Sequence, residues 1–474
     1  MLPGFLRTGK DLPITGSDDD IRARFKHARF QVLTALTLGY GFMYTCRLSI
    51  NVVKKELVDA GLLTATDLGM IGTAFLWAYG FGKLINGGLA DRANIKRFIP
   101  FGLFISAIIN FMMGTTTVVW ICTILWAFNG LFQGIGAPAS AVGITQWAPP
   151  SRRGTFYSIW SASHVGGEGI TNIGTAAVVA YTTWQMGYIA PAIFCVVVSG
   201  LLLAFLHDRP RAMGLPAAAS LENGSLREEN LAKIDDDATS DEVKKAKEED
   251  IKKVKAAQLT VLKHPAIRVV GLASMCMYIS RYAINSWGFF YLEKEFGYAK
   301  LEAGGILFAA SVAGLLGSVL YGIISDFFFK SRRPPVTLLF GLLEVVGVVI
   351  IFFGPKWVAP EHRTLILGVG FVIFGFTISG LIAVLGGLFA VDVSPRRAAG
   401  FAMGVVGSMS YLGAGMGDLI TGRLIDAHTS YRVGIMHNLE NVVDFSQPIA
   451  FWVGASVLSV VLAATLWKVE VNEE

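Results

Sequence analysis

The sequence predicts an all-α membrane protein of twelve transmembrane helices, arranged as two related bundles of six. Three observations predict this. Of 474 residues, 53% are apolar and only 16% charged, where an average soluble protein carries roughly 25% charged residues. The apolar residues fall into runs of about 20, the length that crosses a bilayer. Landmarks of the first half recur in the second at a nearly constant offset.

The same numbers exclude other classes. A soluble chain of this size must cover its surface with polar groups. The 53 glycines, well above the roughly 7% usual frequency, suit helices packed closely through small residues. Cys46, Cys122, Cys195 and Cys276 lie in or beside apolar stretches without C-x-x-C spacing, so neither a zinc site nor a disulfide framework is implied. The net charge of +5 sits in short basic clusters between apolar spans and is no nucleic-acid footprint.

Residues 1–30 are polar and basic, with no signal-peptide pattern, and read as a cytoplasmic N-terminal segment. The first bundle, 31–206, has spans near 31–53, 68–90, 98–118, 120–146, 155–182 and 187–206. Residues 207–264 are rich in Lys, Glu and Asp and read as a solvated linker, partly helical near 241–259. The second bundle, 265–467, has spans near 267–291, 303–326, 335–354, 364–391, 398–422 and 448–467, and 468–474 form a tail. Arg92, Lys96 and Arg97, then Arg152 and Arg153, Lys330 to Arg333, and Arg396 and Arg397 all fall in loops on one side. Basic loops stay cytoplasmic, which places both termini and the linker there.

The halves repeat. "GLADRANIKR" (88–97) matches "GIISDFFFKSRR" (322–333), with Asp91 and Asp326 235 positions apart. "CRLSIN" (46–51) matches "SRYAIN" (280–285), with Arg47 and Arg281 234 apart, and "SRRG" (151–154) matches "SPRRAAG" (394–400). Three matched landmarks in the same order, two of them at nearly one offset and the third, Arg152 with Arg396, 244 apart, indicate a six-plus-six duplication.

Charge inside a membrane costs at least about 2.5–3.5 kcal/mol and marks function. The spans hold Arg47, Lys83, His164, Glu168 and Arg281. Glu168 can pair with one cation but cannot neutralise three. The surplus positive charge calls for an anion, and phosphate suits the guanidinium fork. Tyr44, Tyr79 and Tyr278 lie one turn before Arg47, Lys83 and Arg281, and Ser161 one turn before His164, so each cation has a hydroxyl on its own helix face. His164 is a candidate proton-responsive group, with a neutral packing role as the alternative. Asp418, in the eleventh span, reads as structural. Asp91, Arg92, Asp326 and Arg333 sit at loop ends and read as a gating latch rather than substrate contacts.

At these residues the chain resembles the organophosphate:phosphate antiporters of the major facilitator superfamily. The resemblance runs through "YGFGKLINGGLADRAN" (79–94), "NGLFQGIGAPAS" (129–140), "SRRGTFYSIWSASHVGGEG" (151–169), "DRPRAMGLP" (208–216), "YISRYAINSWGFFYL" (278–292) and "RRAAGFAMGVVGSMSYLGAG" (396–415). It implies the major facilitator fold, with a site between the bundles that switches access by rocking. It also implies that Arg47 and Arg281 bind the phosphoryl group, joined by Lys83, His164, Tyr44, Tyr79, Tyr278 and Tyr411. The chain departs from the pattern at Leu48, Ala137, Met403, Val406 and Glu168, so the phosphate end is retained and the organic end differs.

The expected activity is exchange of an organophosphate for inorganic phosphate, with hexose 6-phosphate favoured over glycerol 3-phosphate, phosphoglycerate and phosphoenolpyruvate. A membrane receptor that binds a sugar phosphate without transporting it is the second reading. A proton-coupled carrier of another organic anion, using Glu168 and His164, is the third. No nucleophile–base pair, metal cluster or Walker spacing is visible (Trp77 stands where its first Gly would fall), so neither an enzyme nor a cofactor is expected. The expected setting is the inner cell membrane, and one chain holding both halves suffices as a monomer.

Overall fold

The computed structural model describes residues 3–222, 256–329, 332–395, 398–433 and 439–467. Twelve membrane-crossing segments alternate in direction. The first is a pair of helices, α1 (Asp18–Met43) and α2 (Thr45–Asp59). Then come α3 (Ala65–Ala90) and α4 (Ile95–Met113). A second broken segment is α5 (Val119–Gln133) with α6 (Gly136–Trp147), and α7 (Arg153–Tyr181) and α8 (Met186–Phe205) complete the first half. The second half is α9 (Pro265–Phe296), α10 (Lys300–Phe328), α11 (Arg333–Phe353), α12 (Arg363–Ala383), α13 (Ala399–Ala427) and α14 (Ser446–Ala464). A π turn at Val384–Leu388 follows α12. A two-stranded hairpin, β1 (Thr429–Val433) and β2 (Leu439–Val443), caps the face opposite the linker and had no counterpart in the sequence reading.

Helix ends follow local chemistry. Ser17 caps α1 ahead of Asp18, Asp19 and Asp20, placing acidic side chains at the positive end of the dipole. Thr64 and Asp67 form a reciprocal capping box at α3. Gly297, at φ +69°, ends α9 in the left-handed region.

Among the described residues, nine segments are apolar and long enough to cross a membrane by composition alone. The first, fifth and eleventh segments are not among them, and these three carry Arg47, Glu168 and Asp418. Large apolar side chains such as Phe81, Leu316 and Val319 point outward, as lipid-facing residues do. The two halves meet mainly along two lines, α3 against α13 and α7 against α10, and α2 also meets α9. The duplication relates these lines to each other, since α3 matches α10 and α7 matches α13. The α3–α13 line is tight. At Gly72 a β-carbon would overlap the Asp418 carboxylate, so only glycine lets the helices approach this closely.

The linker-side segments are more ordered than their composition suggested. Asp208 accepts the Ile95 backbone N–H at 3.0 Å, and Trp147 Nε1 donates to the Asp208 carbonyl at 3.0 Å. Leu6 is buried, its carbonyl accepts from Asn94, and Arg209 pairs with Asp11 at 2.9 Å. The N-terminal segment and residues 206–218 therefore pack on the first bundle. Residues 223–255, the centre of the charged linker, and the tail from 468 lie outside the described residues.

Candidate functional site

The break between α1 and α2 builds half of the site. Tyr44 forms the turn, so Arg47 sits in the first turn of α2, where helix carbonyls and amides lose their normal partners. Side chains from α4 and α5 supply replacements. Gln133 Nε2 donates to the Met43 carbonyl at 3.1 Å, and Asn110 and Asn129 both donate to the Cys46 carbonyl at 2.8 Å. Gln133 Oε1 then accepts from Arg47 Nη2 at 3.2 Å. One buried glutamine thus fixes both the break and the guanidinium. Arg47 Nε is buried without a partner, so the fork is bound on one side and free on the other.

From Arg47 the side chains run in a closed ring. The Arg47 guanidinium carbon lies 4.3 Å from the Tyr44 ring centre and 4.4 Å from that of Tyr79. Tyr79 meets Tyr411 at 5.0 Å between centroids, and Tyr411 meets Tyr278 at 5.5 Å. Arg281 lies 5.5 Å over Tyr278 and 5.7 Å over Tyr282. Arg281 Nη2 pairs with Glu168 Oε2 at 3.8 Å. Glu168 stands one turn from His164, whose ring meets Tyr44 at 6.3 Å, closing the circuit. Lys83 Nζ lies 5.2 Å from the Tyr79 ring and 5.3 Å from Tyr411, so its ammonium faces the same interior. Each cation rests on an aromatic face, which offsets part of its desolvation cost.

Every substrate-site residue expected from the sequence joins this ring except Ser161. Ser161 lines the adjoining cavity with His164. That cavity has a volume of about 1150 Å³, and its walls include the start of α7 (Gly154 to Val165) and the end of α10 (Ser318 to Phe327), with Ser379, Ile382, Ala383, Gly386 and Met403. Both of these helix ends lie on the linker face.

The opposite face is closed by contacts between the halves. Lys54 Nζ donates to Ser286 Oγ at 2.7 Å and lies 3.7 Å from Asp418 Oδ1 and 3.7 Å from the Trp287 ring centre. Ser286 and Trp287 donate to the same carboxylate oxygen at 2.7 and 2.6 Å. Asn51 donates to the Asn285 carbonyl at 2.9 Å. Further out, Lys300 pairs with Glu56 at 2.7 Å and donates to the Val52 carbonyl, and Lys294 pairs with Asp59. The Asp426 carboxylate accepts the Ala65 and Thr66 amides, so α13 caps the N-terminus of α3.

The expected gating residues lie on the linker face. Asp91 and Arg92 are exposed, with no ion pair among the described residues. Arg333 donates to Ser325 Oγ at 3.0 Å within its own half. The side chain of Asp326 lies outside the described residues.

Sequence reasoning missed Gln133, Tyr40, Tyr282 and Lys54. Tyr40 stacks edge-on against Tyr44 at 5.8 Å. Lys54 stands seven residues after Arg47 and thus on the same helix face. Ending the first span at residue 53 hid it. The sequence reading gave Asp418 a structural role, and the structure supplies its partner.

The Major Facilitator Superfamily profile matches residues 36–417. The glycerol-3-phosphate transporter of Bacillus subtilis (strain 168) is 31% identical over 86% of this chain and 89% of its own. The membrane sensor protein UhpC of Escherichia coli (strain K12) is 30% identical over 90% of this chain and 92% of its own. A probable hexose phosphate transport protein of Chlamydia trachomatis serovar D is 30% identical, covering 83% of this chain and 84% of its own. The chain belongs to the organophosphate:phosphate antiporter family of the major facilitator superfamily. Among solved structures, a bacterial homologue of the human lysosomal transporter Spinster, inward-facing and unoccupied, aligns with a TM-score of 0.68 at 15% identity, covering 93% of this chain and 96% of that one. A D-xylose–proton symporter aligns at 0.64 with 15% identity, covering 93% and 98%. Both share this chain's fold.

Proposed function

We propose that the chain exchanges an organophosphate, with hexose 6-phosphate as the favoured substrate, for inorganic phosphate by alternating access. The observation that carries this is the pair of buried arginines, one from each half, set on one aromatic ring with a surplus of positive charge. Arg47 and Arg281 grip the phosphoryl group from opposite sides, with Lys83, His164, the hydroxyls of Tyr44, Tyr79 and Tyr278 and the ring of Tyr411 completing the shell. Bound phosphate cancels the repulsion between the two halves' cations and draws the halves together. The empty site keeps those charges uncompensated and switches poorly, which favours exchange over leak. Gradients of the two anions drive transport, with no cofactor and no covalent step.

The basic loops support a cytoplasmic position for the linker and both termini. With the opposite face closed and the large cavity on the linker side, the described conformation is then inward-open. The chain acts in the cell membrane as a monomer, with Asp91, Arg92, Asp326 and Arg333 forming their latch when the linker face closes.

The test is efflux of labelled phosphate from loaded proteoliposomes on addition of external organophosphates. Efflux stimulated by one class supports antiport and names the substrate. The UhpC relatives, named as sensors, favour a second reading, in which this site binds a sugar phosphate and signals without flux. Tight binding without efflux supports that reading. Neither binding nor efflux refutes a phosphate site.

A further inference from the structure

Beside Arg281 the site opens into a pocket lined by Glu168, Asn172, Asn285, Ser311 and Ser379, from both halves. Asn172 is 8% exposed, and its amide has no hydrogen-bond partner among the described residues. The amide faces a space of about 30 Å³, room for one hydroxyl of a ligand held in the adjoining large cavity. The other polar groups around the pocket are hydroxyls, amides, the His164 imidazole and the Glu168 carboxylate. Among the described residues Arg281 is the only Lys or Arg on its wall, and it is shared with the phosphate position.

The charge count restricts what fits. Arg47, Lys83 and Arg281 face the site with Glu168, and the buried Lys54 and Asp418 cancel one another. Three cations against one carboxylate leave two positive charges. A phosphate monoester carries close to two negative charges at neutral pH. An organophosphate with an added carboxylate carries three, and its third charge would enter the pocket against Glu168.

We propose that Glu168 and the amide and hydroxyl groups around it select organophosphates whose organic part bears hydroxyls, and exclude those bearing a second anionic group. This rests on the organophosphate reading above and narrows it. The Glu168 oxygens accept from substrate hydroxyls, Asn172 and Asn285 both donate and accept, and Ser311 and Ser379 complete a polyol pocket. A substrate carboxylate roughly 5 Å from Glu168, at an effective dielectric near 20, is disfavoured on the order of 100-fold.

The experiment is inhibition of phosphate self-exchange in proteoliposomes by glycerol 3-phosphate, glucose 6-phosphate, 3-phosphoglycerate and phosphoenolpyruvate at pH 7. The first two should compete at least about 100-fold better than the last two. Glu168→Gln should narrow that gap by tenfold or more, and Asn172→Leu should weaken only the two polyol phosphates. Equal competition by all four compounds in the natural protein overturns the proposal, as does an unchanged gap in Glu168→Gln. If self-exchange is absent, antiport itself fails. Thermal stabilisation of the purified protein by the same four compounds then reads the selectivity independently of flux, with the same outcomes supporting or overturning it.

Discussion

Replacing Asp418 with Asn tests whether the buried pair on the closed face holds this conformation. Lys54 and Asp418 are each about 1% exposed at the side chain and lie 3.7 Å apart. Lys54 belongs to the first half and Asp418 to the second. Removing one member of such a pair costs about 3–5 kcal/mol, because the remaining charge stays buried and uncompensated. Asparagine still accepts from Ser286 and Trp287, so the loss falls near the lower end, about 3 kcal/mol. The cost applies only where the face is closed, since opening it hydrates Lys54. The balance should therefore move toward the other conformation on the order of 100-fold. Spin labels at Ala60 and Glu361, exposed on the opposite-face loops of the two halves, read this as a longer distance in pulsed resonance. The paired substitution Lys54→Met with Asp418→Leu removes both charges and should restore the short distance. An unchanged distribution in Asp418→Asn, or a double variant matching the single one, would refute the argument.

Arg47→Lys and Arg281→Lys should each bring phosphate exchange close to background, since a point charge cannot replace the bidentate fork; near-normal flux in both variants removes the paired-arginine mechanism. Tyr411→Leu should raise the KM for phosphate by a factor corresponding to about 0.5–2 kcal/mol through the loss of an aromatic face under Lys83, while Tyr411→Phe should hold it. Equal effects from the two substitutions would assign Tyr411's role to its hydroxyl. Gly72→Ala should lower the thermal unfolding temperature, because a methyl there forces the Asp418 carboxylate aside at a cost of about 1–3 kcal/mol.

The spans were legible because lipid demands long apolar runs, and the duplication because Asp91/Asp326 and Arg47/Arg281 keep one offset. Site residues were legible where a charge stood inside such a run. Gln133 carried no charge, and its value lies in reaching a helix break that only the packing of α1, α2 and α5 creates. Lys54 carried a charge but fell past the end assigned to the first span, where it read as a loop residue. The hairpin at Thr429–Val443 was absorbed into a connection. Among the described residues its strands pair only with each other. Of the charged site residues, Arg47, His164 and Glu168 stand in segments outside the nine that pass as spans by composition, while Lys83 and Arg281 stand in segments that pass.

The tyrosine ring supplies a physical reason for coupling the two halves. Tyr411 sits between Tyr79 of the first half and Tyr278 of the second, and Arg47 rests on Tyr79 while Arg281 rests on Tyr278. An anion that draws the two guanidiniums together must therefore carry Tyr79 and Tyr278 against Tyr411. Gly80 packs directly on the Tyr411 side chain, and Gly72, two turns away on the same α3, packs on Asp418 of the same α13. Force applied at the ring thus reaches the Lys54–Asp418 pair through two rigid helices rather than through loops. A packed interface of this kind has discrete arrangements rather than a continuous range. On the proposed mechanism, anion binding at the arginines and closure at Lys54 act on one helix–helix contact, as exchange would require.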